Sequence, residues 1–406
     1  MLAQGRRVPT MRPAHAGLRL RIFASVVAFG EAGLYSVLAP LLPALTHELR
    51  LSDAGAGVLA AAYPVGVVLA TWPAGRAAGR NPRATARWGM WAVAASSAGF
   101  ALGTTEAVLI GSRLLQGAGA AAAWAGALAW IVRESTPGDR GIAIGATIGA
   151  GFTGTIVAPL LAALADGGAR TEVFLALAAL LGGVAAWGGP SAAPGETAPA
   201  QPGDLPHITT ATAVARERRL RLLGALALMV LIGATCGLCQ SLATLRLASL
   251  GLGGTAIAAV FLAAYAPQAV ASAPLGRLCD RRGAARPLIW CMATLAIGVT
   301  AIPLTRVPLA AAAIVAFVTA VAVAGWPMVT VLVTEIGHAP GAGQGMAMAL
   351  VNGAWAGGAT VGAAGSTAIA TATGQWAAYA PLALGCGLAA LALSAAGRVK
   401  RPALGL

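Results

Sequence analysis

Glu31 is the one carboxylate, among thirteen acidic residues, that falls well inside a long apolar run, and Arg113 is the one basic residue that does so. A charged group in such surroundings is costly, so it usually lines a cavity and serves ion or proton movement. We therefore read Glu31 as a coupling proton site. Two other readings stay open: a helix-packing glutamate held in its neutral form, and a counter-ion for a charged substrate. Arg113 is the candidate companion in proton coupling. With helices rising about 1.5 Å per residue, Glu31 lies about 14 Å and Arg113 about 28 Å from one membrane face, which argues against a direct salt bridge. Polar and amphipathic side chains at span depth, namely Tyr35, Tyr63, Gln240, Tyr265, Gln268, Trp326 and Asn352, are the candidate lining of a substrate cavity. So few charges favour neutral, apolar or cationic solutes over polyanions. Trp326-Pro327 predicts a local helix break, since proline removes a backbone donor. The tryptophan there either meets a solute or fills the interior.

Such residues need spans to hold them. The chain has 406 residues, 58% hydrophobic and 10% charged, with a mean hydropathy of +0.78. That charge content cannot cover the surface of water-soluble domains. Twelve apolar stretches are legible, near 22–45, 54–74, 88–104, 107–132, 141–164, 171–188, 222–246, 255–275, 287–304, 307–333, 345–367 and 376–396. Most suffice for a helix across a hydrocarbon core, which takes ~20 residues. The first is too long for a signal peptide's apolar region and leads straight into another span.

The net charge of +14 could suggest nucleic acid, but its placement argues otherwise. Of 27 basic residues, 22 fall in the tails and alternate loops on one side, among them Arg76, Arg80, Arg83, Arg87, Arg140 and Arg281. The opposite side carries Arg50, Arg170, Arg246 and Arg306. This is the positive-inside bias, which puts both termini in the cytoplasm. Cys236-x-x-Cys239 sits in an apolar run with no histidine partner and reads as small packing residues. All four histidines, His15, His47, His207 and His338, fall in expected loops or tails, so no metal cluster is visible.

The sequence also repeats at half its length, the mark of a duplicated membrane bundle. Gly276-Arg-Leu-Cys-Asp280-Arg281-Arg-Gly283 has a weaker copy 201 residues upstream, Gly75-Arg76-Ala-Ala-Gly79-Arg80-Asn-Pro82-Arg83. Glu134 and Glu335 keep the same separation, and Ala61-Ala62-Tyr63 returns as Ala263-Ala264-Tyr265. Residues 189–221, Pro-rich and then basic, read as a cytoplasmic linker. The expected division is a bundle over 1–188, the linker, and a bundle over 222–406.

These boxes resemble the major facilitator superfamily over essentially the whole chain. Its loop signature, roughly G-x-L-a-D-R-x-G-R, is met by Gly276, Leu278, Asp280, Arg281 and Gly283, whereas the first copy has Gly79 and Pro82 at the aspartate and glycine positions. Arg113-Leu-Leu-Gln116-Gly117 matches the family's arginine box. Gly145, Gly154 and Ala158-Pro159 give a degenerate form of its antiporter box. The resemblance implies an all-α membrane protein with twelve transmembrane helices in two pseudo-symmetric six-helix bundles. It implies a monomer of the cytoplasmic (inner) membrane, working with protons and a small-molecule substrate, without cofactor or metal. The antiporter box tilts the expectation to proton-coupled efflux; a metabolite importer and a non-transporting membrane sensor are the alternatives. By the same resemblance Arg76, Arg80, Glu134, Arg140, Asp280, Arg281 and Glu335 belong to a cytoplasmic gate. Asp280 would face the start of the fifth helix at Arg140, a helix amino terminus that favours negative charge. Gly79 and Gln344 leave the symmetric clasp without both members. No GxxxxGK[ST] loop for ATP appears.

Overall fold

The computed structural model describes residues 14–134, 137–164, 170–188, 213–337 and 344–399. Among these, all regular structure is helical, in twelve rods. We number them α1 (two pieces, Ala14–Ser36 and Leu38–Leu49), α2 (Asp53–Arg80), α3 (Pro82–Leu102), α4 (Glu106–Glu134), α5 (Pro137–Leu164), α6 (Arg170–Trp187), α7 (Ala213–Leu238, a π turn Cys239–Ala243, then Thr244–Ser249), α8 (Gly254–Arg282), α9 (Ala285–Leu304), α10 (Pro308–Gly337), α11 (Gln344–Thr360, a π turn Val361–Gly365, then Ser366–Thr373) and α12 (Gln375–Val399). Each predicted span falls on one rod. Seven rods (α2, α4, α6, α7, α9, α10 and α12) are long and apolar enough to cross a membrane, and the bent α1 makes an eighth.

Four local expectations change. The first span is not one straight helix: its pieces meet at 42° around Val37. Pro40 and Pro43 lack the N–H groups that would bond the carbonyls four residues back, so the turn there is weakened. α10 runs unbroken through Trp326-Pro327, because a thirty-residue helix with packed neighbours tolerates one missing bond. α7 starts at Ala213, inside the stretch read as linker. Its basic run propagates helix and is tied by a Glu217–Arg221 ion pair at i,i+4. His15 and His47 lie in the two pieces of α1, not in loops.

Pairing between rods follows the sequence repeat. In the first half α1 packs on α5, α2 on α4, and α3 on both α4 and α6. In the second, α7 packs on α11, α8 on α10, and α9 on both α10 and α12. Between halves, α2 meets α11 and α5 meets α8, again equivalent by the repeat. Two apolar cores result, one for each half. Ala356 and Ala363 join the first and Ala39 joins the second, so the halves touch.

Small residues make these crossings possible, since lipid gives no hydrophobic drive between helices and close backbone approach must supply packing. A side chain at Gly154 would overlap the Phe29 carbonyl of α1, and one at Gly358 the Val230 carbonyl of α7. Gly117 is seated the same way against the Tyr63 carbonyl of α2. Gly117→Val should therefore cost roughly 3 kcal/mol by overpacking. All five cysteines are buried and free, so a thiol-reactive dye reports unfolding, and its transition should fall by at least about 5 °C. An unchanged transition would contradict this crossing.

Rods α1, α2 and α11 each have one end toward the arginine-rich face, which carries Arg76, Arg80, Arg83 and Arg87. We call the other the far face. There the amino end of α2 lies directly on α11: a Cβ at Gly57 would overlap the Thr367 hydroxyl and stand 2.9 Å from the Ala363 carbonyl. Toward the arginine-rich face the fit is looser: a Cβ at Gly353 of α11 would stand 3.9 Å from Thr71, and one at Gly75 or Gly79 would meet open space.

Candidate functional site: the junction of α1, α2, α4 and α11

Arg113 is 1% exposed and is the largest fully buried side chain described. Its guanidinium donates to the Leu34 carbonyl of α1 at 2.6 Å and to Gln116 Oε1 at 3.0 Å. It also lies over the Tyr63 ring, 4.8 Å from the centroid, within cation–π range. The Gln116 amide in turn donates to Ser97 Oγ of α3. The arginine box therefore ties α4 to α1 just before the α1 bend. As the depth estimate implied, Arg113 makes no ion pair with Glu31. Instead Tyr63 stands between them, its hydroxyl donating to the Glu31 main-chain carbonyl at 3.0 Å while its ring receives Arg113.

The Glu31 side chain is only partly buried. Among the described residues it has no hydrogen-bond or ion-pair partner. Four residues on, one turn toward the far face and on the same side of α1, stands Tyr35. Its ring meets Tyr63 (centroids 5.8 Å) and, across the two halves, Trp355 of α11 (4.8 Å, edge-on). The Tyr35 hydroxyl is buried with no hydrogen-bond partner. Asn352 lies three residues before Trp355, hence one turn toward the arginine-rich face, and is likewise only partly buried. Glu31 and Asn352 thus each lie one turn toward the arginine-rich face from the Tyr35–Trp355 contact.

Of the predicted cavity residues, the structure brings Tyr35 and Tyr63 together at this junction, and Asn352 lies one turn from Trp355 on α11. Tyr265, the repeat partner of Tyr63, accepts from Gln240 Nε2 at 3.3 Å. Each repeated tyrosine therefore bonds the first rod of its own half. Gln268 turns away into the α8–α10 contact, donating to the Ala320 carbonyl at 2.8 Å. Trp326 packs partly buried against the second core. Sequence reading passed over Trp355, although an asparagine and a tryptophan at i,i+3 in an apolar run was the available signal. It also missed Arg246, which donates to the carbonyls of Ile302, Pro303 and Thr305 and to Gln375, closing the end of α9.

At the arginine-rich face, Arg76 stacks on Trp72, 3.2 Å from the ring centroid. Arg80 and Glu134 are exposed. Arg133 ties α4 to α2 through the Gly79 carbonyl at 2.6 Å. The side chains of Arg140, Asp280, Arg281 and Glu335 lie outside the described residues, as does the surrounding of Gly145, so the expected clasp is not described. Gly154 and Pro159 are buried in α5, the former at the α1 crossing.

A family model described as "Major Facilitator Superfamily" matches residues 24–246, more than half of the chain. No curated protein sequence matches. Among solved structures, the nucleoside transporter NupG is similar at 14% identity with a TM-score of 0.68, over 94% of this chain and 100% of that one. A D-xylose-proton symporter is similar at 15% identity with a TM-score of 0.67, over 93% of this chain and 97% of the other. At these identities the likeness concerns the fold.

Proposed function

This chain belongs to the major facilitator superfamily, and from that membership we propose that it carries a small neutral or cationic amphiphilic solute outward in exchange for protons. The observation that carries the reading is Glu31: a carboxylate at span depth, only partly buried, without a hydrogen bond or ion pair among the described residues, and one helical turn from the Tyr35–Trp355 contact between the halves. Groups placed this way take up and release ions as access alternates. In this reading the two halves rock about the α1–α11 and α2–α11 contacts, with Tyr35–Trp355 and Gly57–Thr367 closing the far side. The arginine-rich face is cytoplasmic, and the protein is a monomer of the inner membrane with both termini inside. The division at 1–188, 189–221 and 222–406 is the proposed rigid-body partition. Asp280 opposite the start of α5 at Arg140, flanked by Arg281 and Glu335, is the proposed inner clasp, single because Gly79 and Gln344 cannot form its twin.

A second reading is favoured by the names of the structural neighbours, a nucleoside transporter and a sugar–proton symporter. It makes this chain an importer by symport or facilitated diffusion. A solute found by comparing deletion and overexpression strains, then followed by counterflow in proteoliposomes, separates the two. Antiport predicts uptake accelerated by an acidic interior. Acceleration by an acidic exterior overturns efflux in favour of symport, and indifference to pH overturns coupling.

A further inference from the structure

Two arginines join α3 to α6 at the arginine-rich face. Arg83 and Arg87 stand four residues apart, hence as neighbours on one stripe of α3. Arg83 Nε donates to the Gly188 carbonyl and Arg87 Nε to the Ala185 carbonyl, both at 3.2 Å. The end of α6 is electronegative, so these bonds cap it. The Trp130 ring steadies Arg83 further, its centroid 5.7 Å from the guanidinium carbon. One turn along the stripe, Trp91 packs on α6: a Cβ at Gly182 would stand 3.4 Å from its ring. Among the described residues no carboxylate pairs with either guanidinium, and their Nη groups make no hydrogen bond.

Capping alone does not account for this pair. The repeat partners of Arg83, Arg87 and Trp91, 201 residues on, are Ala284, Leu288 and Met292, all buried and apolar. Yet α9 packs on α12 as α3 packs on α6. The first half therefore holds two unneutralised charges at a crossing that its twin makes without any. The surface beside them is apolar. Trp88 and Trp187, adjoining Arg87 and Gly188 in sequence, are exposed, as an interfacial aromatic belt is. Trp91 is 42% exposed, and beyond it a Cβ at Gly183 would meet open space beside the exposed Leu180.

We propose that Arg83 and Arg87 hold the phosphate of an anionic phospholipid, whose chains run along Trp91 and the open stretch at Gly183 and Leu180. Guanidinium Nη groups match a phosphate in charge and in geometry. Basic pockets between spanning helices take such headgroups. A zwitterionic lipid would set its own ammonium beside the arginines and binds less well. A free phosphate lacks the chains that the aromatic surface faces. The bound lipid bridges α3 and α6 and stabilises the first half. This holds whatever solute the chain carries and in whichever direction.

The test reads the difference between two lipids, so loss of the α6 cap alone does not imitate the effect. The full chain in neutral detergent is given phosphatidylglycerol or phosphatidylcholine with the same chains, and unfolding is followed with the thiol-reactive dye. Phosphatidylglycerol should raise the transition by at least about 3 °C over phosphatidylcholine. Native mass spectrometry should show it retained at least about tenfold more strongly. Arg83→Gln with Arg87→Gln should abolish both differences. Arg83→Lys with Arg87→Lys, which keeps the charge, should preserve most of each. Arg216→Gln with Arg219→Gln, at the exposed start of α7, should leave both intact. Phosphatidylglycerol brominated in its chains should quench tryptophan emission less in Trp91→Phe than in the native chain. No difference between the lipids, or one that survives in the Arg83/Arg87 glutamine pair, overturns the proposal. Equal loss in the Arg216/Arg219 pair overturns it in favour of attraction by overall charge. Full stabilisation by inorganic phosphate in place of lipid overturns it in favour of a simple anion site.

Discussion

Gly57→Val is expected to leave the far face unable to close and to reduce transport by at least about tenfold, the effect of some 1.4 kcal/mol against the closed state. Any Cβ at this position would overlap the Thr367 hydroxyl and come within 2.9 Å of the Ala363 carbonyl. A threonine rotamer could yield, but a backbone carbonyl inside a helix cannot move without shifting the rod. Val361–Gly365, the π turn beside it, holds that carbonyl in a segment whose hydrogen bonding is already altered. The arrangement in which α2 and α11 stand apart has no such clash, so the substitution should favour it. A cysteine at Thr244, buried in the far part of α7, placed in a background lacking the five native cysteines, reads this directly. It should react with an impermeant maleimide only when Gly57 is replaced. Pairing Gly57→Ala with Thr367→Gly removes the side-chain overlap and should recover part of the transport. Equal labelling in both backgrounds would show that this contact does not govern closure.

Arg113→Lys is the second large effect, despite conserving charge. One guanidinium nitrogen, Nη1, donates to both Leu34 O and Gln116 Oε1, while Cζ stands 4.8 Å from the Tyr63 ring centroid. The lysine ammonium sits nearer its own helix than Nη1 does and lacks the delocalised guanidinium over the Tyr63 ring, so it should not hold both acceptors and the ring together. One buried acceptor is then left short of a donor, at a cost of about 1–3 kcal/mol. The unmet partner matters because Leu34 stands just ahead of the α1 bend, and Tyr35 next to it carries the ring contact with Trp355. The dye-detected unfolding transition should fall by several degrees, and transport should fall more than folded content does. A lysine variant with normal transport would mean that the arginine only fills space.

Much of this was legible from the residues, for identifiable reasons. Apolar runs bounded by arginines gave the rods because lipid demands internally satisfied helices. Tyr63 returns as Tyr265 in the sequence repeat, and the hydroxyl of each bonds the first rod of its own half. The depth of Glu31 and Arg113 correctly argued against a salt bridge. What was not legible depends on tertiary contact. Trp355 gains meaning only when α11 is set against α1. Both π turns lie where α7, α11 and α2 pack together, a juxtaposition that no local composition records. Trp326-Pro327 shows the converse: a strong local signal for a break, overridden by neighbours. The π turn at Cys239–Ala243 is closed by Thr244, whose hydroxyl donates to the Cys239 carbonyl at 2.9 Å, a bond invisible in any pattern of hydropathy.

The central claim is that protons cross this protein on Glu31 as the solute crosses in the other direction. Vesicles carrying a trapped pH dye, given solute on one side, test it in a single trace. The account predicts a proton flux opposite to the solute in the native protein and, in folded Glu31→Gln, solute exchange with no pH change. A proton flux of undiminished size in Glu31→Gln would contradict it.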